Sequence, residues 1–500
     1  MELKELCEST LNLFGIENVS KLGEKLLKAV LGNDCEKYSQ FSDMVGDLNV
    51  DWLQKIFQYY EADREEKKQD YTPHSLCKLC SELTETGGNV VYDICAGSGA
   101  LTIQKWVRNP DKIFICEELD TNVIPYLLFN MALRNMNGYV INRNVLTLEL
   151  YKCYKLSSGE NFSTVRETTE IPDIRADEII SNPPYNIKWE APAPMFADER
   201  FQDKPLPPAS NANYAFIFTA LSRMKNNGKC AFVLPYGVLS SYVEKKCRQW
   251  LIENGYIEKV IVLPDKMFES TSIPTCVFLI SCNNKQIEMF DCRQKATQEQ
   301  RKQKGQFGGA SHERRTYYKT VNVLSDELIR SVCSGCQDIP EFSISVQQND
   351  IQDSILTVSR YIKFETHEAK HRNLHEIVDN INYITKMQNS CKLVINETIA
   401  KSLGLDIEKF KENKQSSAET AEQMKLLGLD LIQEDFITFT KAKNEFIFKC
   451  NDKEIFPDIL RQFFTVWKNQ IALLNTMQNA YLSELRDALL PDLMSGKIKV

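Results

Sequence analysis

Apolar positions in the first sixty residues recur at steps of three and four: Leu3 and Leu6, then Leu22, Leu26, Leu27 and Val30, then Trp52, Ile56 and Tyr60. Such steps gather side chains on one face of a helix. The chain is therefore expected to open with a module of short amphipathic helices over 1–68. A charge run, Glu61-Ala-Asp-Arg-Glu-Glu-Lys-Lys-Gln-Asp70, reads as a solvated helix end that sets this module apart. From about 70 to 290 the pattern changes. Short apolar, largely β-branched runs at Val90–Cys95, Ile113–Glu117, Glu178–Ser181, Cys230–Leu234, Lys259–Leu263 and Cys276–Ile280 are bounded mostly by Gly, Pro, Asn or Asp, and helical patterns lie between them. Strands alternating with helices predict an α/β fold with a parallel, doubly wound sheet covered on both faces. In such sheets a ligand binds at the carboxyl ends of the strands.

Two later stretches differ. Arg293–Lys319 holds eight Lys/Arg against two Glu and a Gly308-Gly309 pair, and reads as a flexible basic loop. Its Arg301, Lys302, Lys304, Arg314 and Arg315 are candidate phosphate contacts, with a plain solvated loop as the equal alternative. From about 375 the chain reads as mainly helical. Leu460, Phe464, Trp467, Ile471, Leu474, Gln478, Tyr481 and Leu485 alternate steps of four and three, the seam of a coiled coil that Pro491 is expected to end. A docking helix over about 458–490 follows, inside a C-terminal region of 341–500, and Gln478 is placed to set its register.

Charge and composition narrow the classes. A net charge of −8 argues against a protein that coats nucleic acid by bulk charge, leaves room for local basic patches, and hints that a partner supplies part of any grip on DNA. No apolar run approaches the roughly 20 residues that cross a bilayer. Met1-Glu-Leu-Lys-Glu-Leu6 is not a secretory leader, so a cytoplasmic protein without a membrane partner is expected. Sixteen cysteines then read as reduced, mostly buried thiols. The pairs Cys77/Cys80 and Cys333/Cys336 do not supply four ligands in register, and no metal is expected.

The chemistry begins at Val90-Val-Tyr-Asp93-Ile-Cys95-Ala96-Gly97-Ser98-Gly99, a strand running into a Gly-rich turn. Glycines there let the backbone approach a ligand. Asp93 at the strand end can engage an ammonium, and Glu118, about 20 residues on, can take ribose hydroxyls. Thr102 stands where a dinucleotide fingerprint needs a third Gly or Ala, which counts against NAD. An S-adenosylmethionine pocket is expected; a structural turn of another α/β fold is the competing reading.

Glu178-Ile-Ile-Ser-Asn182-Pro183-Pro184-Tyr185 ends the next such strand. An aromatic amine is a poor nucleophile because its lone pair is delocalised into the ring. Two carbonyl acceptors, the Asn182 side chain and the Pro183 backbone, can take both amino hydrogens and localise that pair. The prolines stiffen the loop, and Tyr185 can stack on a base taken out of a duplex. A rigid turn closing a strand is the bland alternative. Cytosine-C5 methylation needs a nucleophilic Cys, typically after Pro, and the chain has no Pro-Cys pair.

These residues resemble the N6-adenine DNA methyltransferases, specifically the modification subunits of type I restriction–modification systems. The resemblance covers about 69 to 290 and implies a Rossmann-like S-adenosylmethionine-dependent catalytic domain over 69–340, flanked by helical regions. Gln69-Asp-Tyr71-Thr72-Pro73 resembles the family's segment that lies over the cofactor, and Cys95-Ala96-Gly97 and Glu118 fall on its turn and ribose positions. The Pro-rich insert running to Ser210-Asn-Ala-Asn-Tyr-Ala-Phe216, Val233-Leu-Pro-Tyr-Gly237, and Leu263-Pro through Ile273-Pro-Thr-Cys276 are similar too. Asn144 stands where the family often has an acid near the cofactor adenine. Leu489-Leu-Pro-Asp-Leu-Met-Ser-Gly-Lys497 resembles the tail of specificity subunits.

The implied partners are double-stranded DNA, a specificity subunit, a restriction subunit and a second copy of the modification subunit. The Asn-Pro-Pro-Tyr loop also serves enzymes that methylate RNA bases or protein glutamine, which is the alternative activity. A catalytically idle scaffold is a third reading, against which the intact loop and turn speak. No Walker-type Gly-x-x-x-x-Gly-Lys motif and no nuclease-like Pro-Asp with Glu-x-Lys stands out, so cleavage is expected to belong to another polypeptide.

Overall fold

The computed structural model describes residues 3–60, 72–191, 198–268, 273–304, 316–362, 372–403, 428, 437–441, 446–450, 453–455 and 458–494. The charge run at 61–70 lies outside them. The chain divides into two compact units, Met1–Glu365 and Thr366–Val500.

The first unit opens with helices α1 (Leu3–Phe14), α2 (Leu22–Leu31), α3 (Cys35–Val45) and α4 (Trp52–Tyr60), followed by α5 (His74–Leu83). Leu6, Leu22, Leu26, Val30 and Ile56 are buried, as the spacing predicts. Then come β1 (Val90–Asp93), α6 (Ala100–Arg108), β2 (Ile113–Glu118), α7 (Ile124–Leu133), β3 (Asn137–Arg143), β4 (Leu150–Ser157), β5 (Thr164–Glu167) and β6 (Ala176–Ser181). After these the chain forms α8 (Asn213–Arg223), β7 (Met224–Pro235), α9 (Lys245–Glu253), β8 (Ile257–Val262), β9 (Thr275–Ile280), β10 (Gln286–Asp291), β11 (Thr297–Lys304), β12 (Thr316–Val323), α10 (Asp326–Cys333) and β13 (Ser343–Gln347).

All six strand runs read from the sequence are present, within a larger sheet of order β13-β10-β8-β9-β7-β6-β1-β2-β3-β4-β5. Its centre, β3-β2-β1-β6-β7, is parallel. β8 and β10 also pair in parallel, but the sheet as a whole is mixed. β9 runs antiparallel between β7 and β8, and β4, β5 and β13 are antiparallel additions. No helix is described in the connection from β8 to β9, whereas a parallel crossover usually carries one.

Alternation along the strands feeds two cores. Val91, Phe114, Cys116, Val140, Ile180 and Val233 face one side, together with α5, α6, α7 and the N-terminal helices. Tyr92, Ile115, Ile141, Ile179 and Phe232 face the other, together with α8 and α9. Every residue of α7 is buried because the helix lies between the sheet and the N-terminal helices. Phe14, Tyr38 and Phe41 close on its Phe129 at ring-centroid distances of 5.8, 5.1 and 5.4 Å. At the amino ends of the strands, buried Glu178 pairs with buried Lys105 at 2.7 Å and Lys112 at 2.6 Å. Removing one partner from such a cluster strands a charge and costs about 3–5 kcal/mol.

The basic stretch is not a simple loop. β11 and β12 pair in register from Thr297↔Val323 to Lys304↔Thr316 as a separate two-stranded ribbon. The sequence reading overlooked Thr316-Tyr-Tyr-Lys-Thr-Val-Asn-Val323, a run rich in β-branched and aromatic residues.

The second unit holds α11 (Leu374–Leu403), a three-stranded antiparallel sheet of β14 (Ile437–Lys441), β15 (Phe446–Cys450) and β16 (Lys453–Ile455), and α12 (Asp458–Met494). The small sheet is an addition beside the two long helices that the sequence reading did not include; alternation in Ile437-Thr-Phe-Thr and Phe446-Ile-Phe-Lys carries it. α12 also runs past Pro491 to Met494: the proline forfeits the one bond to the carbonyl four residues before it, and the helix continues only three residues beyond it. Of the seam, Leu474, Gln478 and Leu485 are buried. They face α11, where Gln478 Nε2 donates to Thr385 Oγ1 at 3.0 Å and Gln388 Nε2 donates to Gln478 Oε1 at 3.2 Å. The side chains of Leu460, Phe464, Trp467 and Ile471 lie outside the described residues. No described helix is long and apolar enough to cross a membrane.

Candidate functional site

The carboxyl ends of β1, β2, β3 and β6 surround a cavity of about 590 Å³, within the usual size of cofactor sites. Its walls are the turn 95–98, the segment 118–120 after β2, the segment 143–147 after β3, the loop 182–185 after β6, residues 187–190, Thr72 and Phe216. Two sequence elements more than eighty residues apart meet here because β1 and β6 are paired neighbours.

In the turn, Gly97 has φ +55° and Gly99 φ +101°, left-handed values that favour glycine. Gly99 caps α6, and a Cβ on it would meet Leu127 at 3.0 Å. Glu118 faces the turn: one carboxylate oxygen accepts from the Gly97 amide at 2.9 Å and the other from the Asp120 amide at 2.7 Å. A carboxylate oxygen can accept more than one hydrogen bond, so capacity is left for hydroxyl donors. Burial pushes the Glu118 carboxyl up, opposed by those amides. Burial, then the charges of Glu118 and Asp93, push the Cys95 thiol well up, so it stays protonated and is no nucleophile.

Asp93 stands apart. It is fully buried, does not line the cavity, and accepts from Thr102 Oγ1 at 2.8 Å. Burial raises its carboxyl to about 7, against the opposing bond from Thr102. Pro73 also lies off the cavity, as the N-cap of α5. Asn144 lines the cavity, but its side-chain oxygen accepts from the amides of Leu146 (2.9 Å) and Thr147 (3.3 Å), which is the work of a turn. Cys95, Ala96, Gly97, Ser98, Glu118 and Thr72 are brought together with Asn182, Pro183, Pro184 and Tyr185. Gln69, Tyr71, Arg314 and Arg315 lie outside the described residues, as do the side chains of Arg301, Lys302 and Lys304.

Across the cavity, Asn182 Nδ2 donates to Thr72 Oγ1 at 2.9 Å, and Tyr185 OH donates to Asn182 Oδ1 at 2.8 Å. The amide nitrogen is thus committed to Thr72 and the amide oxygen is left as an acceptor. The acid opposite the glycine turn, the apolar walls of Ile94, Leu146 and Phe216, and the acceptor at Asn182 line one cavity whose chemistry could hold a nucleoside-bearing group beside an amine.

Residues 42–372 match the family described as N-6 DNA Methylase. The chain belongs to this family. It is a DNA N6-adenine methyltransferase with S-adenosylmethionine as methyl donor, and the RNA and protein-glutamine alternatives are not favoured. The methylase is 27% identical over 410 residues to the type I restriction enzyme MpnII methylase subunit of Mycoplasma pneumoniae, covering 74% of this chain and 70% of that one. It is 25% identical over 380 residues to the HindI methylase subunit of Haemophilus influenzae, covering 72% and 76%. Among solved structures, the type I restriction-modification methyltransferase subunit from Streptococcus thermophilus aligns with a TM-score of 0.50 and 25% identity over 72% of this chain and 74% of that one.

One group that braces the cavity wall from behind carries no signal of that role in the sequence. Asp51, from the N-terminal helical region, accepts from Ser98 Oγ of the cofactor turn at 2.6 Å and from Asn130 Nδ2 at 2.9 Å. Asn130 Nδ2 also donates to the Ser98 carbonyl at 2.9 Å, and Arg134 donates to the carbonyls of Leu48 and Val50. In the sequence Asp51 signals only a helix cap, which it also is, accepting from the Gln54 amide at 2.9 Å. Among the described residues no group of three or more His, Cys, Asp or Glu is placed to hold a metal ion.

Proposed function

We propose that this chain is the modification subunit of a type I restriction–modification system, and that Asn182–Tyr185 carries out the transfer. The observation that carries the reading is the Asn182 acceptor facing the Glu118 and glycine-turn wall of one cavity. Thr72 holds the amide so that Oδ1 meets an incoming amino group, and the Pro183 carbonyl takes the second amino hydrogen. S-adenosylmethionine supplies an electrophilic methyl group when bound. Asn182 Oδ1 and the Pro183 carbonyl would hold the adenine amino group by its two hydrogens and turn its lone pair toward that methyl, and the surplus proton would pass to water. Tyr185 exchanges its bond to Asn182 for a stacking contact with the extruded base.

Cofactor contacts are assigned to Thr72, Cys95, Ala96, Gly97, Ser98 and Glu118, and, on the family resemblance alone, to Gln69 and Tyr71, which lie outside the described residues. Asp93 is assigned to shaping the turn rather than meeting the cofactor ammonium. Phosphate contacts are assigned to Arg301, Lys302, Lys304, Arg314 and Arg315. This is supported by the ribbon's base, where the Asn322 amide donates to the Lys266 carbonyl at 3.1 Å, just past the carboxyl end of β8. A separate specificity subunit chooses the DNA site and docks on the second unit. Leu473, Met477 and Leu482 of α12 and Tyr383 and Met387 of α11 are exposed there. A second modification subunit and a restriction subunit complete the assembly.

The test is methyl transfer from labelled S-adenosylmethionine to genomic DNA, with and without the specificity protein of the neighbouring gene, alongside Asn182→Ala. Label on adenine N6 that requires the partner and disappears in the variant is expected. Label on RNA or protein, or transfer unaffected by Asn182→Ala, would sink the reading.

A further inference from the structure

β6 and β7 are neighbouring parallel strands, so the segments leaving their carboxyl ends start side by side. One is the catalytic loop. The other, residues 236–244, ends in a tip that the fold leaves bare: Tyr242 is 87% exposed and Val243 61%. Tyr242 is the most exposed large hydrophobic side chain among the described residues.

The base of this tip is braced. Buried Arg248 donates to the carbonyls of Val238 and Ser241, both at 3.1 Å, and to that of Ser354. Tyr214 OH donates to the Val238 carbonyl at 3.1 Å. Glu244, 1% exposed, accepts from Asn213 Nδ2 at 3.1 Å. The same Asn213 reaches Asn186, the residue after Tyr185, through Nδ2 to Asn186 Oδ1 at 3.3 Å and through Oδ1 from the Asn186 amide at 3.4 Å. Asn213 therefore brackets the tip to the catalytic loop, and the two keep a set distance.

An adenine that enters the cavity must leave the duplex, and the step it vacates loses stacking on both sides. Proteins that distort DNA often fill such a gap with an aromatic or aliphatic wedge. We propose that Tyr242, backed by Val243, inserts into the duplex at the position the target adenine leaves. The proposal rests on the DNA-adenine reading above. DNA is favoured over a protein surface because Lys245, which sits 3.9 Å from Asp353, and exposed Lys246 follow the tip directly, and because the catalytic loop beside it must meet DNA. A rigid base suits a wedge, since little order remains to be imposed on binding.

The experiment uses the full methylase with its DNA-specifying partner, on duplexes bearing a site mapped from methylated DNA. Single-turnover methylation is compared on a fully paired duplex and on one with an abasic position opposite the target adenine. Tyr242→Ala is expected to slow the paired duplex by about tenfold or more and to recover to within about twofold of the unaltered enzyme on the abasic-opposite duplex, where flipping is easy. Tyr242→Phe keeps the ring and is expected to restore most of the rate on the paired duplex. Equal rates of Tyr242→Ala and the unaltered enzyme on paired DNA would overturn the proposal. So would a deficit carried over unchanged to the abasic-opposite duplex, or loss of the partner from the complex in gel filtration. If the unaltered enzyme labels neither duplex, the DNA-adenine reading itself has failed, and the wedge with it.

Discussion

Asp93 occupies the strand-end position that sequence alone offers to a cofactor ammonium, yet its bond runs sideways to Thr102 and its carboxyl sits near pH 7. A raised acid keeps its proton longer when folded than when unfolded. The folded state then binds more protons than the unfolded state between the usual 3.8 and about 7. This group's contribution to stability is present below pH 3.8 and is lost as the pH rises through that window. Asp93→Asn has nothing to ionise there. Denaturant unfolding should show the unaltered protein losing stability relative to Asp93→Asn between about pH 4 and 7, with the difference flat above. Parallel pH profiles would refute this placement of the carboxyl. Asn182, by contrast, lies where its sequence position suggests, at a strand end lining the cavity, with its amide oriented by the hydroxyls of Thr72 and Tyr185.

At the level of elements, the N-terminal helices brace the cavity wall rather than standing as an appendage, since Asp51 accepts from Ser98 of the glycine turn that lines it. Asp51→Ala should raise the KM for S-adenosylmethionine by about tenfold while kcat at saturation stays within about twofold, the mark of lost binding that the ground and transition states share equally. Steady-state kinetics on the assembled enzyme decides it; a fall in kcat with KM unchanged would place Asp51 elsewhere. The ribbon gives a second prediction. Neutralising Arg301, Lys302, Lys304, Arg314 and Arg315 together should weaken DNA binding and flatten its dependence on salt, because fewer counterions are released. Affinity unchanged across a salt titration would remove the ribbon from the interface.

The same elements show what could be read in advance. β1, β2, β6, β7, β8 and β9 were legible because their apolar runs are buried on both faces. β4 was not, since Tyr151, Lys152 and Lys155 interrupt its edge. Nor was β10, where Glu288 and Asp291 break the run. The ribbon was read as a loop because Gln, Lys and Arg mask its β-period. The loop 182–185 and the glycine turn are local motifs readable from the sequence, and the structure brings both to one cavity. Asp51 was not legible, because its partner lies 47 positions away and nothing local signals it.

For the whole molecule, both cores, the cavity and the tip belong to the first unit. A fragment ending at Glu365 should therefore bind S-adenosylmethionine within about twofold of the full chain, since it keeps the ordered groups that make the site. It should fail to retain the specificity partner in gel filtration. Loss of cofactor binding from a folded fragment would show that the second unit helps to build the site.

The second unit carries its own constraint. Ile377 and Leu485 share a cluster, and Gln388 donates to Asn475 at 2.9 Å and to Gln478, so α11 and α12 run antiparallel with one polar layer buried between apolar ones. Sliding one helix by a turn would leave that layer facing leucines and isoleucines, so the amides lock one alignment. The layer acts as an index mark on a sliding rule. Slipping either helix by one turn therefore strands buried amides, so the described part of this pair has one alignment that satisfies them.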